Sequence, residues 1–120
     1  MQVILLSWPP STNALWRSYK GRNILSARGR MWYQAAGLEL MAQGAFSITG
    51  PVWVDIAFRS PTKRSFDLDN RIKAILDALV KNLVIDGDES QIVRKLTVSA
   101  AKNIPVGATV TIRSYDGYAQ

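Results

Sequence analysis

"VWVDIAFRSPTKRSFDLDNRIKAILDAL", residues 52–79, changes its hydrophobic period halfway along. Val52, Val54, Ile56 and Phe58 alternate with Trp53, Asp55, Ala57 and Arg59, the two-residue repeat of a half-buried strand. Beyond a polar, basic connector at 60–66, Ile72, Ile75, Leu76, Leu79, Val80 and Leu83 recur at i, i+3, i+4, i+7, i+8 and i+11. That spacing predicts an amphipathic helix. A strand running straight into a helix makes this a mixed α/β chain.

Working outward, Gly50-Pro51 marks a turn ahead of the strand, and Ser26 is the N-cap of an earlier helix reaching about Gln43. Met31, Ala35, Leu38 and Ala42 are its expected apolar stripe, with Gly29 and Gly37 weakening it. Residues 11–25 read as a loop or short hairpin, and residues 2–7 as a first strand that Pro9-Pro10 brings to an end. Downstream, an acidic turn at 84–90 leads to strands at about 91–100 and 108–114, joined by "KNIPVG". The order βαβαββ gives an α/β (α+β) fold with a mixed sheet and two main helices. At 120 residues the chain is expected to be a single domain, 1–120, burying roughly two thirds of its unfolded surface.

There is no cysteine and no histidine. Disulfides, zinc fingers and His- or Cys-based nucleophile pairs are thereby excluded. Hydrolytic chemistry would fall to carboxylates holding a hard cation, or to a lysine of lowered pKa. No apolar run is long enough to span a bilayer, and the start lacks the basic n-region of a signal peptide, so a cytoplasmic location without membrane partners is expected.

The net charge of +6 is unevenly spread: residues 1–64 hold eight Lys/Arg and two acids, while residues 65–120 hold seven of each. Asp67, Asp69, Asp77, Asp86, Asp88 and Glu89 fall within 23 residues. Asp67 and Asp69 could serve as helix-start residues. In extended chain, however, they would point the same way about 6.5 Å apart, repelling by about 2.5 kcal/mol at an effective dielectric of about 20. Lys73 lies at i+4 from Asp69, in range of a surface ion pair. Asp86, Asp88 and Glu89 sit where a helix dipole favours cations, and a turn accounts only for Asp86-Gly87. A Mg²⁺ or Mn²⁺ site would reconcile these facts. It requires the chain to return along the sheet, since the expected helix between the two groups is about 23 Å long.

Arg17, Lys20, Arg22, Arg28 and Arg30 interleave with Trp16, Tyr19, Trp32 and Tyr33, and Arg59, Lys63 and Arg64 follow near the connector. Such runs are either a solvated face or a surface for phosphate contact and base stacking. The acidic and basic groups together suggest a metal-dependent nuclease.

"WPPSTN" (8–13), "SARG" (26–29), "DLDNRIKAILDAL" (67–79) and "DESQIV" (88–93) make the chain resemble the RusA-type Holliday junction resolvases over nearly its whole length. The resemblance implies a RusA-like fold and a Mg²⁺-dependent homodimer, without organic cofactor, that nicks four-way DNA junctions symmetrically. It implies catalytic roles for Asp67, Asp69, Lys73 and Asp88, and metal ligation by Asp67, Asp69, Asp88 and Glu89. Aligning on Gln91 puts Glu89 where the family carries an aspartate; either it or the adjacent Asp88 fills that role. Asn13, Arg17, Lys20, Arg22, Arg28, Arg30, Lys63, Arg64 and Arg71 are the expected DNA contacts. The exposed side of Trp53's strand and the first helix are candidate dimer surfaces. The alternatives are an inactive junction- or DNA-binding protein, or a less selective nuclease.

Overall fold

The computed structural model describes residues 1–116. Six strands, β1 (Gln2–Leu6), β2 (Trp16–Tyr19), β3 (Arg22–Leu25), β4 (Val52–Arg59), β5 (Val93–Ala100) and β6 (Gly107–Ser114), accompany helices α1 (Thr12–Leu15), α2 (Ala27–Ala42) and α3 (Ile72–Lys81). Four strands form one sheet in the order β1-β6-β4-β5, and β2 and β3 form a separate hairpin. β4 and β5 run parallel; β1, β6 and β4 pair antiparallel. A parallel pair needs a crossover, and α3 supplies it. The expected α+β class, mixed sheet and two main helices are all present. Among the described residues no helix is long and apolar enough to cross a membrane.

Alternation decides which sheet face is covered. Val52, Val54, Ile56 and Phe58 of β4, Val110 and Ile112 of β6 and Ile4 and Leu6 of β1 are buried beneath α2 and α3 in one apolar core. On the opposite face, Trp53 holds Lys95 at 4.1 Å and Arg113 at 4.3 Å from its ring centroid and donates its indole N–H to Thr97 Oγ1 at 3.1 Å. At the β1 edge, the Gln43 side chain behaves like a strand residue. Its Oε1 accepts from Leu5 N, and its Nε2 donates to Leu5 O, both at 2.7 Å.

Several expectations need correction. The buried face of α2 is Gly29, Trp32, Ala36 and Leu40, whereas Met31 and Leu38 of the expected stripe are 70% and 67% exposed. Apolar residues lie on both sides of this helix, so periodicity does not select the core side. Residues 11–25 do form the expected short hairpin, whose Lys20 (φ 50°) and Gly21 (φ 75°) make the positive-φ pair of a two-residue turn, and only the short α1 ahead of it is unexpected. α3 has ten residues, about 15 Å, shorter than expected at both ends. It begins after a 3₁₀ turn over Leu68–Arg71, so Asp69 is not in extended chain. It stops because Leu83 adopts φ 60°, with Val84 N bonded to Leu79 O and Leu83 N to Val80 O, a Schellman ending that leaves Leu83 73% exposed. β5 starts at Val93, two residues later than expected, because the backbone N–H groups of Ile92 and Val93 donate to Glu89 O in a turn.

Candidate active site

The two most distinctive sequence segments meet in space. Trp8 packs edge-on against Phe58 and Phe66, at centroid distances of 5.9 and 4.9 Å, fixing where the connector leaves β4. The Arg71 guanidinium lies 4.5 Å from the centroid of the Trp8 ring, and its Nη1 donates to Pro9 O. Thr12 Oγ1 donates to Asn70 O at 3.0 Å. The "WPPST" segment therefore brackets the turn carrying Asp67 and Asp69. Asn70 N donates to Asp67 O at 3.2 Å, tightening that turn ahead of α3.

The "SARG" segment holds α2 in place from its first turn. Ser26 Oγ accepts from Gly29 N at 3.0 Å and donates to Ala14 O at 2.6 Å. At Gly29 a Cβ would come within 2.7 Å of Leu15 O, so only glycine permits this close approach of α2 to the end of α1.

Lys73, one turn beyond Asp67 and Asp69, ties the acidic turn to α3. Its Nζ lies 3.0 Å from Asp77 Oδ1 and 3.2 Å from Asp88 Oδ2. The chain does return after α3. Asp86 Oδ2 accepts from Gly50 N at 2.8 Å, Ile48 bridges Ile85, and the following turn brings Asp88 to the N-terminal half of α3. The expected i+4 pair of Lys73 with Asp69 does not form; its i+4 partner is Asp77, on the C-terminal side. Asp77 Oδ2 also accepts from Tyr33 Oη at 3.1 Å, tying this pair to α2. The hydrogen bonds to Asp77 and Asp88 raise the Lys73 pKa above its ordinary value, so Lys73 is a cation and not a base. Burial, then the nearby Asp77 carboxylate and its hydrogen bond, raise the Tyr33 phenol.

Asp67 and Asp69 are exposed, and neither carboxylate has a hydrogen-bond or ion-pair partner among the described residues. The Glu89 carboxylate lies back over Gly87, where a glycine Cβ would sit 2.6 Å from its Oε1. Asp88, not Glu89, therefore faces Lys73. Among the described residues no group of three or more acids is close enough to hold one metal ion. The two open carboxylates are still the donor type and number that Mg²⁺ takes from a protein, water filling the remaining positions.

The structure distributes the expected DNA contacts over three places. Arg17, Lys20 and Arg22 ride on the exposed β2–β3 hairpin, with Arg17 and Lys20 flanking the Tyr19 ring at 5.6 and 5.4 Å. Asn13, Arg28 and Arg30 are exposed at α1 and the start of α2, where Arg30 Nη1 donates to Leu25 O at 2.9 Å. Lys63 and Arg64 lie on the exposed connector. Arg71 differs from these, being partly buried against Trp8 with its pKa lowered by burial and by the Arg28 charge. Sequence reading passed over Asp77 and Tyr33 as site residues; the i+4 spacing of Asp77 from Lys73 is the signal that marks the first.

The profile described as Endodeoxyribonuclease RusA matches residues 7–113. Crossover junction endodeoxyribonuclease RusA of Escherichia coli (strain K12) is 38% identical over 79 residues, which is 65% of this chain and 66% of that protein. The protein of that name from Shigella sonnei (strain Ss046) is 37% identical over 79 residues, and that of Enterobacteria phage 82 is 37% identical over 81, with the same shares covered. The chain thus spans just under two thirds of the length of these relatives, 66%.

Proposed function

Because this chain belongs to the RusA family of endodeoxyribonucleases, we propose that it is a Mg²⁺-dependent endonuclease that resolves four-way DNA junctions by paired nicking as a homodimer. One observation carries this reading: Lys73 draws the acidic turn at 86–89 to the end of α3 where Asp67 and Asp69 stand unpaired. Asp67 and Asp69 have no counterion among the described residues, which suits a site that completes itself with a cation.

Asp67 and Asp69 would hold the ion, with Asp88, or Glu89 after swinging off Gly87, as the further ligand. Mg²⁺, or Mn²⁺ in its place, supplies Lewis-acid charge at the scissile phosphate when bound. Lys73, held as a cation by Asp77 and Asp88, stabilises charge developing on the phosphate oxygens. Asp77 and Tyr33 position Lys73. The hairpin arginines and the cations around α1 and α2 contact phosphates and set the register of the DNA. A two-fold dimer presents one site to each of two symmetry-related strands.

The test uses a synthetic four-way junction beside a duplex and a flap of matched sequence, with Mg²⁺ or EDTA, for the wild type and Asp69→Asn. Paired nicks confined to the junction, lost with EDTA and reduced at least 100-fold in Asp69→Asn while junction binding persists, are expected. Tight junction binding by the wild type with no cutting in Mg²⁺, or in Mn²⁺ used in its place, would favour an inactive DNA-binding protein. Equal cutting of all three substrates would favour a less selective nuclease.

A further inference from the structure

A cleft of about 930 Å³ opens between the 60–66 connector and the turn joining β5 to β6. Lys63 and Arg64 line it from the connector and Lys102 from the turn, with Phe66 and Val106 adding apolar surface. Among the described residues no acidic one lines it. Arg59 is a strut, its Nη1 donating to Ile104 O at 2.8 Å and tying one wall to the other. The connector is shaped by Thr62 N donating to Ser60 Oγ at 3.2 Å and Arg64 N to Thr62 Oγ1 at 3.3 Å. Lys63, Arg64 and Lys102 are exposed and make no ion pair among the described residues.

Three unpaired cations around a braced cleft repel one another, and a polyanion relieves that repulsion. Cations beside apolar surface are the lining used for single strands, whose phosphates meet the charges while sugars and bases lie on the apolar part. The volume is that of a small-ligand pocket, the scale of a few nucleotides of one strand. Phe66, which lines the cleft, immediately precedes Asp67 in the chain.

We infer that this cleft is a single-strand DNA subsite, with Lys102 as a phosphate contact alongside Lys63 and Arg64, that receives unpaired nucleotides next to the reacting phosphate. This rests on the nuclease reading above and specifies the path of its substrate. The turn carrying Lys102 has no motif that marks it in sequence; only the fold places it opposite the connector.

The test is fluorescence anisotropy with a short oligothymidine and with a hairpin duplex, each over a salt series. Wild type is compared with Lys102→Ala and with Lys63→Ala/Arg64→Ala/Lys102→Ala, whose folding is checked by circular dichroism. For the triple variant, single-strand affinity should fall at least tenfold and duplex affinity by a clearly smaller factor. The plot of log affinity against log salt should flatten by about 2, since each contact to a single strand contributes about 0.7. Lys102→Ala alone, at an exposed turn position, should flatten it by about 0.7. An unchanged slope in both variants, or an equal loss on single strand and duplex, overturns the subsite. If the wild type cuts junctions while the variants bind oligothymidine as it does, the nuclease reading stands and the subsite falls. If the wild type binds no DNA, both fall.

Discussion

Lys73 is shared between Asp77 and Asp88, and Asp77 is shared in turn with the Tyr33 hydroxyl. That chain of contacts links a titrating phenol to stability. Tyr33 binds its proton more tightly in the folded protein than in the unfolded chain, chiefly because it is buried and secondarily because Asp77 stands beside it. The sign follows from linkage: this contribution is fully present below the unfolded value of 10.0 and is lost as pH rises through the higher folded value. Thermal melts should therefore hold level up to about pH 10 and then decline. Tyr33→Phe should be less stable at pH 7 by about 1 kcal/mol for the lost hydrogen bond, yet decline less steeply in alkali. Parallel declines in the two proteins would show that Tyr33 is not responsible. At this scale the acids of the candidate site stand out in sequence, because crowded carboxylates in a basic chain call for an explanation. The partners of Lys73 are not. Asp69 and Asp77 both lie at i+4 spacing from it, and the 3₁₀ turn that disqualifies Asp69 depends on contacts to Pro9 and Thr12, some sixty residues earlier.

Elements were easiest to read where one pattern dominates. β4 alternates cleanly and Ser26 caps α2 through its hydroxyl, both as the residues require. α2 misled because Met31, Leu38 and Met41 lie outside while Trp32, Ala36 and Leu40 lie inside, so both faces carry apolar side chains. The end of α3 was hidden for a different reason: its left-handed ending falls on a leucine, where glycine is the usual marker. A side chain in that conformation costs about 1–2 kcal/mol, and the Leu83 side chain, being mostly exposed, repays little by burial. Leu83→Gly should therefore stabilise the protein by about 0.5–1 kcal/mol after the added freedom of the unfolded chain is subtracted. Chemical denaturation would read this as a higher midpoint at unchanged slope. A lower midpoint would mean that the leucine makes contacts that outweigh its strain.

For the whole molecule, the helices shield one sheet face, and the crossover from β4 through α3 to β5 brings the acidic turn back to where the crossover began. Element order alone predicted the class of this architecture. It could not supply the strand order, which places β6 between β1 and β4 and so sets the two ends of the sheet at β1 and β5. Those ends differ. β5 carries Arg94 and Lys95, whose charge discourages another strand from joining, whereas β1 presents Val3 and Leu5. The Gln43 amide, by bonding to both backbone groups of Leu5, closes the more apolar end to newcomers. The consequence is colloidal: the side chain that closes α2 at its C-terminal end bars β1 from pairing with a strand of another copy. Gln43→Ala should scatter more light than the wild type as concentration rises at temperatures well below its melt, while Gln43→Glu, which leaves a charge at the same place, should stay clear. Equal scattering by the alanine variant and the wild type would mean that β1 needs no guard.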